Sequence, residues 1–214
     1  GIWDISITPT SERSYLFNGL VGDIQFNAAG DVLAAADDNQ VWKLDPGDSS
    51  SQTATLTGSP NIEQKSNVRK IDFSAESNRL AISTAADQVF IDTLNAPHTP
   101  RLLNTSGAIE ALAYSPGQDQ FITVSSNGLM QAWNYAGGSS SDPVTLLEDK
   151  SVKSLAANGS LLAVGSAEKI TVIDLSGSRE NQELESKGDN LLLAISADGS
   201  IFASASSSGE IHLW

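Results

Sequence analysis

Cysteine is missing altogether from the 214 residues, and histidine occurs only twice. Such a chain can form neither a disulfide framework nor a thiolate metal site, so a zinc finger is excluded. His98 and His212 stand far apart in sequence, and neither is near a nucleophile motif, so no Ser-His-Asp set can be assembled. His98 lies in the proline-rich turn Asn95–Pro100 and reads as a solvated loop residue. Basic residues are also scarce: 12 Lys and Arg against 26 Asp and Glu give a net charge of −14. Nucleic acids and anionic membranes select clustered positive charge, so this balance counts against both and favours a basic partner. An acidic surface also keeps a sheet-rich protein from associating edge to edge. No run of about 18 apolar residues is present, which excludes a membrane-crossing helix. No stretch carries a sustained apolar stripe at the helical period, which excludes a helical domain. The opening Gly1-Ile2-Trp3 is not a signal peptide, so a cytoplasmic location is expected.

What the chain does contain is short alternating runs separated by turns. Residues 191–214, LLLAISADGSIFASASSSGEIHLW, set the template. An alternating run reaches Ile195, a turn follows at Ser196-Ala197-Asp198-Gly199, and a second run covers Ser200–Ser206. A Ser/Gly turn then leads to Glu210–Leu213 and Trp214. Period-two alternation with glycine-bearing turns predicts antiparallel strands. The template recurs. Phe26, Phe73, Tyr114, Leu155 and Ile195 precede equivalent turns, roughly 40–47 residues apart. Ala156-Ala157-Asn158-Gly159 is the turn of the fourth repeat. A bulky residue ends each repeat, namely Leu44, Ile91, Trp133, Ile173 and Trp214, and the first four are followed by Asp45, Asp92, Asn134 and Asp174.

Predicted inner strands include Gln40–Leu44, Val68–Phe73, Arg79–Thr84, Gln120–Ser125, Val152–Leu155 and Ile170–Ile173. Outer strands are predicted at Ser14–Phe17, Thr53–Thr57, Arg101–Leu103, Val144–Leu147 and Glu183–Glu185. Thr8–Arg13 reads as a polar turn. Residues 46–67 form an insertion that maps to a rim. The Gly137–Ser141 loop lacks the Lys and following helix of a phosphate-binding loop.

A period of this length, four strands per unit and the ending Ile2-Trp3-Asp4 resemble the WD-repeat (WD40-type) β-propellers, over nearly the whole chain. The resemblance implies one all-β domain, residues 1–214, of four-stranded antiparallel blades. Five repeats make either a five-bladed ring or five units of a larger propeller. Ser14–Phe17 would close the last blade, or blades from two chains would complete each other in a dimer. The Gly-His dipeptide of the family is absent, so its Ser/Thr-His-Asp-Trp hydrogen-bond network is not expected. Apolar packing and strand ladders would hold each blade instead.

The function implied is a non-catalytic protein–protein interaction scaffold, the sensor or docking domain of a larger signalling protein, binding a protein or peptide partner. No catalytic, cofactor-binding or metal-ligating residue is expected. The neighbouring carboxylates Asp37 and Asp38 lack the further oxygen ligands that calcium needs. Candidate partner-binding residues are Asp37, Asp38, Asn39, Asp87, Asn127, Glu168 and Ser208, at equivalent connections between second and third strands. The same residue types also favour turns. A sugar- or small-ligand-binding propeller and a propeller enzyme are the alternatives. The first would need pockets repeated between blades, whereas Trp42, Phe90, Phe121 and Tyr135 fall at different template positions.

Overall fold

A computed structural model describes residues 2–3, 12–13, 20–27, 30, 33–37, 40–44, 67–74, 78–93, 101–117, 119–134, 143–196 and 198–214. Every regular element among them is a β-strand. A short ribbon pairs β1 (Ile2–Trp3) with β2 (Glu12–Arg13). The first sheet is β3 (Val21–Phe26), β4 (Leu33–Asp37) and β5 (Gln40–Leu44). The second is β6 (Val68–Phe73), β7 (Arg79–Thr84), β8 (Val89–Thr93) and β9 (Arg101–Leu103). The third is β10 (Ile109–Ser115), β11 (Gln120–Ser125), β12 (Leu129–Asn134) and β13 (Val144–Glu148). The fourth has six strands: β14 (Ser154–Asn158), β15 (Leu161–Gly165), β16 (Ala167–Asp174), β17 (Gln182–Ile195), β18 (Phe202–Ser206) and β19 (Ile211–Leu213). All strand pairs are antiparallel neighbours in sequence, the arrangement that short hairpin connections allow.

The alternation seen in sequence sets which face each residue occupies. In the second sheet Ile71 lies opposite Ile82 and Phe73 opposite Leu80, so all four share one face. They pack with Val41 of the first sheet. The other face carries Ala81, Val89 and Ile91, which meet Tyr114, Phe121 and Trp133 of the third sheet. The third sheet's far face, with Ile122, Val124 and Met130, packs on Val152, Leu162 and Val164 of the fourth. The core is therefore a series of apolar layers, one at each junction between sheets.

Three sequence expectations are corrected. Five separate blades do not form: the described residues make four sheets of three or more strands. The fourth and fifth repeats fuse because β17 does not break where a connection was expected. Its first half pairs with β16 and its second half with β18. Gly188, at φ 79°, makes the changeover in a conformation that other residues resist. Next, the fourth repeat turns two residues later than its neighbours. Leu155 pairs with Val164, Asn158 pairs with Leu161, and Gly159-Ser160 is the turn, so Ala156–Asn158 is strand. Finally, Glu12–Arg13 is strand, paired with Trp3 and Ile2. Ser14–Phe17, Thr53–Thr57, His98 and the Gly137–Ser141 loop lie outside the described residues, as does nearly all of the 46–67 insertion. Among the described residues β19 has β18 as its only strand partner. Among the described residues no helix is long and apolar enough to cross a membrane.

Candidate interaction surface

Successive first strands of the sheets are neighbours, and they enclose a common cavity of about 300 Å³. Its wall takes Asp23 and Gln25 from β3, Lys70 from β6, Glu110 from β10 and Lys153 from the approach to β14. Leu192 and Leu193 come from the second half of β17. Acidic and basic side chains thus alternate around the opening. They fall there because alternate residues of an inner strand face its neighbour while the others face the core layer.

Two carboxylates of these inner strands tie sheets together. Asp23 Oδ1 accepts the Ile24 N–H (2.9 Å), and its Oδ2 accepts the Ile71 N–H of the next sheet (3.0 Å). Asp72 repeats the arrangement one sheet on, accepting from Phe73 N (2.9 Å) and, across the junction, from Tyr114 N (2.7 Å). Burial pushes the Asp72 carboxyl up to about 6. Its two N–H donors pull the other way, and the Asp23 charge adds a smaller upward push. Further along, Ser115 Oγ and Gly117 N donate to Gly159 O, and Asn158 Nδ2 donates to Ser196 O. The expectation that apolar packing and ladders alone would hold the blades is therefore corrected. Two indoles also bond within their own sheets: Trp133 Nε1 donates to Thr123 Oγ1 (2.8 Å) and Trp214 Nε1 to Ser204 Oγ (3.3 Å). The sequence signal for these bonds is a Ser or Thr ten residues before the Trp.

The proposed rim residues are not alike. Asp87 is exposed and left-handed (φ 59°), and its carbonyl accepts from Thr105 Oγ1 (2.9 Å). Asn127 is exposed, but its side chain is engaged: Oδ1 accepts from Ser125 Oγ and Leu129 N, and Nδ2 donates to Ser106 Oγ. Ser208 Oγ bonds to Ser206 Oγ (2.6 Å) and donates to Glu210 Oε2 (3.2 Å). Asn127 and Ser208 thus build their own turns. Asp37 ends β4, and Glu168 lies within β16 and not in a connection. Asp38 and Asn39 fall outside the described residues. Sequence reasoning missed the alternating charges of the cavity, because strand alternation does not reveal which inner strands share a wall.

The turn at Asn127 gives a sharp prediction. Gly128 has φ 87°, and a Cβ there would lie 2.4 Å from Lys150 N. Gly128→Ala is expected to cost about 2 kcal/mol through strain and the displaced 149–150 backbone. Urea unfolding would read this, and a midpoint unchanged from the parent protein would contradict it.

A second hollow, of about 390 Å³, lies between the fourth and fifth repeats. Leu161, Leu184, Arg179 and the stacked pair Phe202–Trp214 (5.9 Å, 15°) line it.

No family model and no curated protein matches the sequence. Among solved structures, that of U3-55K is similar, with a TM-score of 0.72 at 15% identity. The match covers 92% of this chain and 62% of that one, so the chain spans less than two thirds of that structure's length. At this identity the likeness is one of fold: U3-55K is a WD40 β-propeller protein, and this chain is an all-β propeller with antiparallel blades.

Proposed function

We propose that the propeller is a non-catalytic docking scaffold, and that a protein or peptide segment bearing basic side chains binds across the mouth of the axial cavity. The observation that carries this reading is the cavity wall, where Asp23 and Glu110 alternate with Lys70 and with Lys153, just before β14; the alternation would set the register of a charged segment, and the preference for a basic one comes from the net charge. Strand backbones paired in ladders hold Asp23, Lys70 and Glu110 in fixed positions, which suits recognition better than loops would. The net charge of −14 draws a basic partner and repels nucleic acid. The resemblance to WD-repeat propellers supports a protein partner, and the signalling context belongs to the same proposal.

Glu110 suits a test because it is exposed and lines the cavity. On an array of Lys/Arg-rich peptides, Glu110→Lys is expected to weaken binding about tenfold, and binding should fall with added salt. Asp87→Asn removes the rim charge while keeping a residue that tolerates φ near 60°. Loss of binding in Asp87→Asn alone would move the site to the rim. Equal binding by both variants and the parent would remove the proposal.

A further inference from the structure

The two end faces of the array break a rule that every interior face keeps. Ile71 and Phe73 on β6 face the preceding sheet and are 2% and 6% exposed. Ile24 and Phe26 hold the same places on β3 and are 55% and 52% exposed. At the other end, Val89, Met130 and Ile170 occupy one place on successive third strands, opposite Ser83, Val124 and Gly165, and all are 0% exposed. Ile211 holds that place opposite Ala205 and is 74% exposed. Leu213, opposite Ala203, is also 74% exposed, where its counterpart Ile91, opposite Ala81, is fully buried. The residue type is apolar at both ends, as inside, and only the cover differs.

We propose that both end faces are blade-docking surfaces, each covered by a further antiparallel β-sheet blade of the same polypeptide that continues the ring. What covers these positions is read from the three junctions between sheets, where the occupant is the apolar face of the adjoining sheet. The inner strands β3, β6, β10, β14 and β17 border one cavity, so the array bends around a single axis, and continuing it adds blades to the same ring. The comparison is compatible with this: the U3-55K chain extends beyond the part that this chain matches. A contiguous exposed apolar face on an acidic chain is otherwise a site of association. A second copy of this chain is the rival occupant.

The chain has no cysteine, so a single introduced thiol reports one position. Ile24→Cys and Leu213→Cys would be made separately, in the 214-residue chain and in the protein with its native flanking sequence. Circular dichroism would confirm that each variant folds. In the 214-residue chain both thiols should react quickly with iodoacetamide at every protein concentration. In the longer protein labelling should slow by at least about a hundredfold, because reaction then waits for the covering blade to open. Equal rates in the two proteins would overturn the proposal, as would a native sequence that adds no further strands. Labelling of the shorter chain that slows as its concentration rises would assign the faces to a second copy and overturn it too.

Discussion

Phe121→Ala is expected to remove about 3–5 kcal/mol of unfolding free energy, a large share of what a domain of this size has. Phe121 is completely buried and lies opposite both Tyr114 and Trp133 in the ladder. Its ring sits 5.0 Å from that of Tyr114, tilted by 57°, an arrangement favourable beyond the area it buries. The same cluster joins Ala81, Val89, Ile91 and Leu103 of the second sheet to the third. Truncation would leave a cavity at a junction with a sheet on each side, where collapse is hard. Phe26→Ala is the natural contrast: the ring is half exposed, and the change is expected to cost less than about 1 kcal/mol. Urea titration of both variants would test the pair. A Phe121→Ala midpoint as high as that of Phe26→Ala would show that the layers are not the load the fold rests on.

Between about pH 4 and pH 6 the protein is expected to lose stability as pH rises, by about 3 kcal/mol from Asp72 alone. Below the ordinary carboxyl range the group is protonated in folded and unfolded chains alike. As pH rises, the unfolded chain releases its proton near 3.8, whereas the folded chain holds it until about 6. The folded state therefore binds more protons over this window, and its advantage drains away as the pH climbs through it. Asp198 acts in the opposite direction at lower pH. Hydrogen bonds from Ser196 and Ser200 hold its carboxyl down at about 2, so its contribution is lost as pH falls below 3.8. Asp72→Asn should flatten the profile between pH 4 and pH 6. It should also weaken one of the two N–H contacts, since an amide nitrogen cannot accept. Urea midpoints taken every half unit would show this, and a variant that keeps the parent's slope would acquit Asp72.

Local pattern was legible where chemistry and period agreed. Val68–Phe73, Arg79–Thr84, Gln120–Ser125 and Gln40–Leu44 are strands with the bounds that alternation and flanking turns predicted. The turn at Ser196–Gly199 was read from its Asp-Gly pair, and Asp198 does bond Ser196 and Ser200 there. Where the pattern misled, a nonlocal partner decided. Ala156 to Asn158 looks like turn sequence, yet it extends β14 because Leu161 and Leu162 offer it a ladder. Glu185 to Asn190 is polar enough to pass for a loop, but Glu185 and Asp189 pair with β16 and Asn190 with β18. Nothing local distinguishes Asp72, because its role depends on the Tyr114 N–H, 42 residues away. The alternating charges of the axial cavity were invisible for the same reason. The rim candidates were legible as turn formers, and for Asn127 and Ser208 that reading accounts for their contacts.

β17 runs unbroken for 14 residues and belongs to two repeats at once. The described connections between the second and third repeats, 104–108, and between the third and fourth, 149–153, lie outside any strand. Here only residues 186–188, with Gly188 left-handed, separate the run 182–185 paired with β16 from Asp189, on β16, and Asn190, on β18, so the link between the two repeats is short. A displacement of one repeat is therefore passed to the other over three residues, and this end of the arc is expected to yield less than a junction with a longer link.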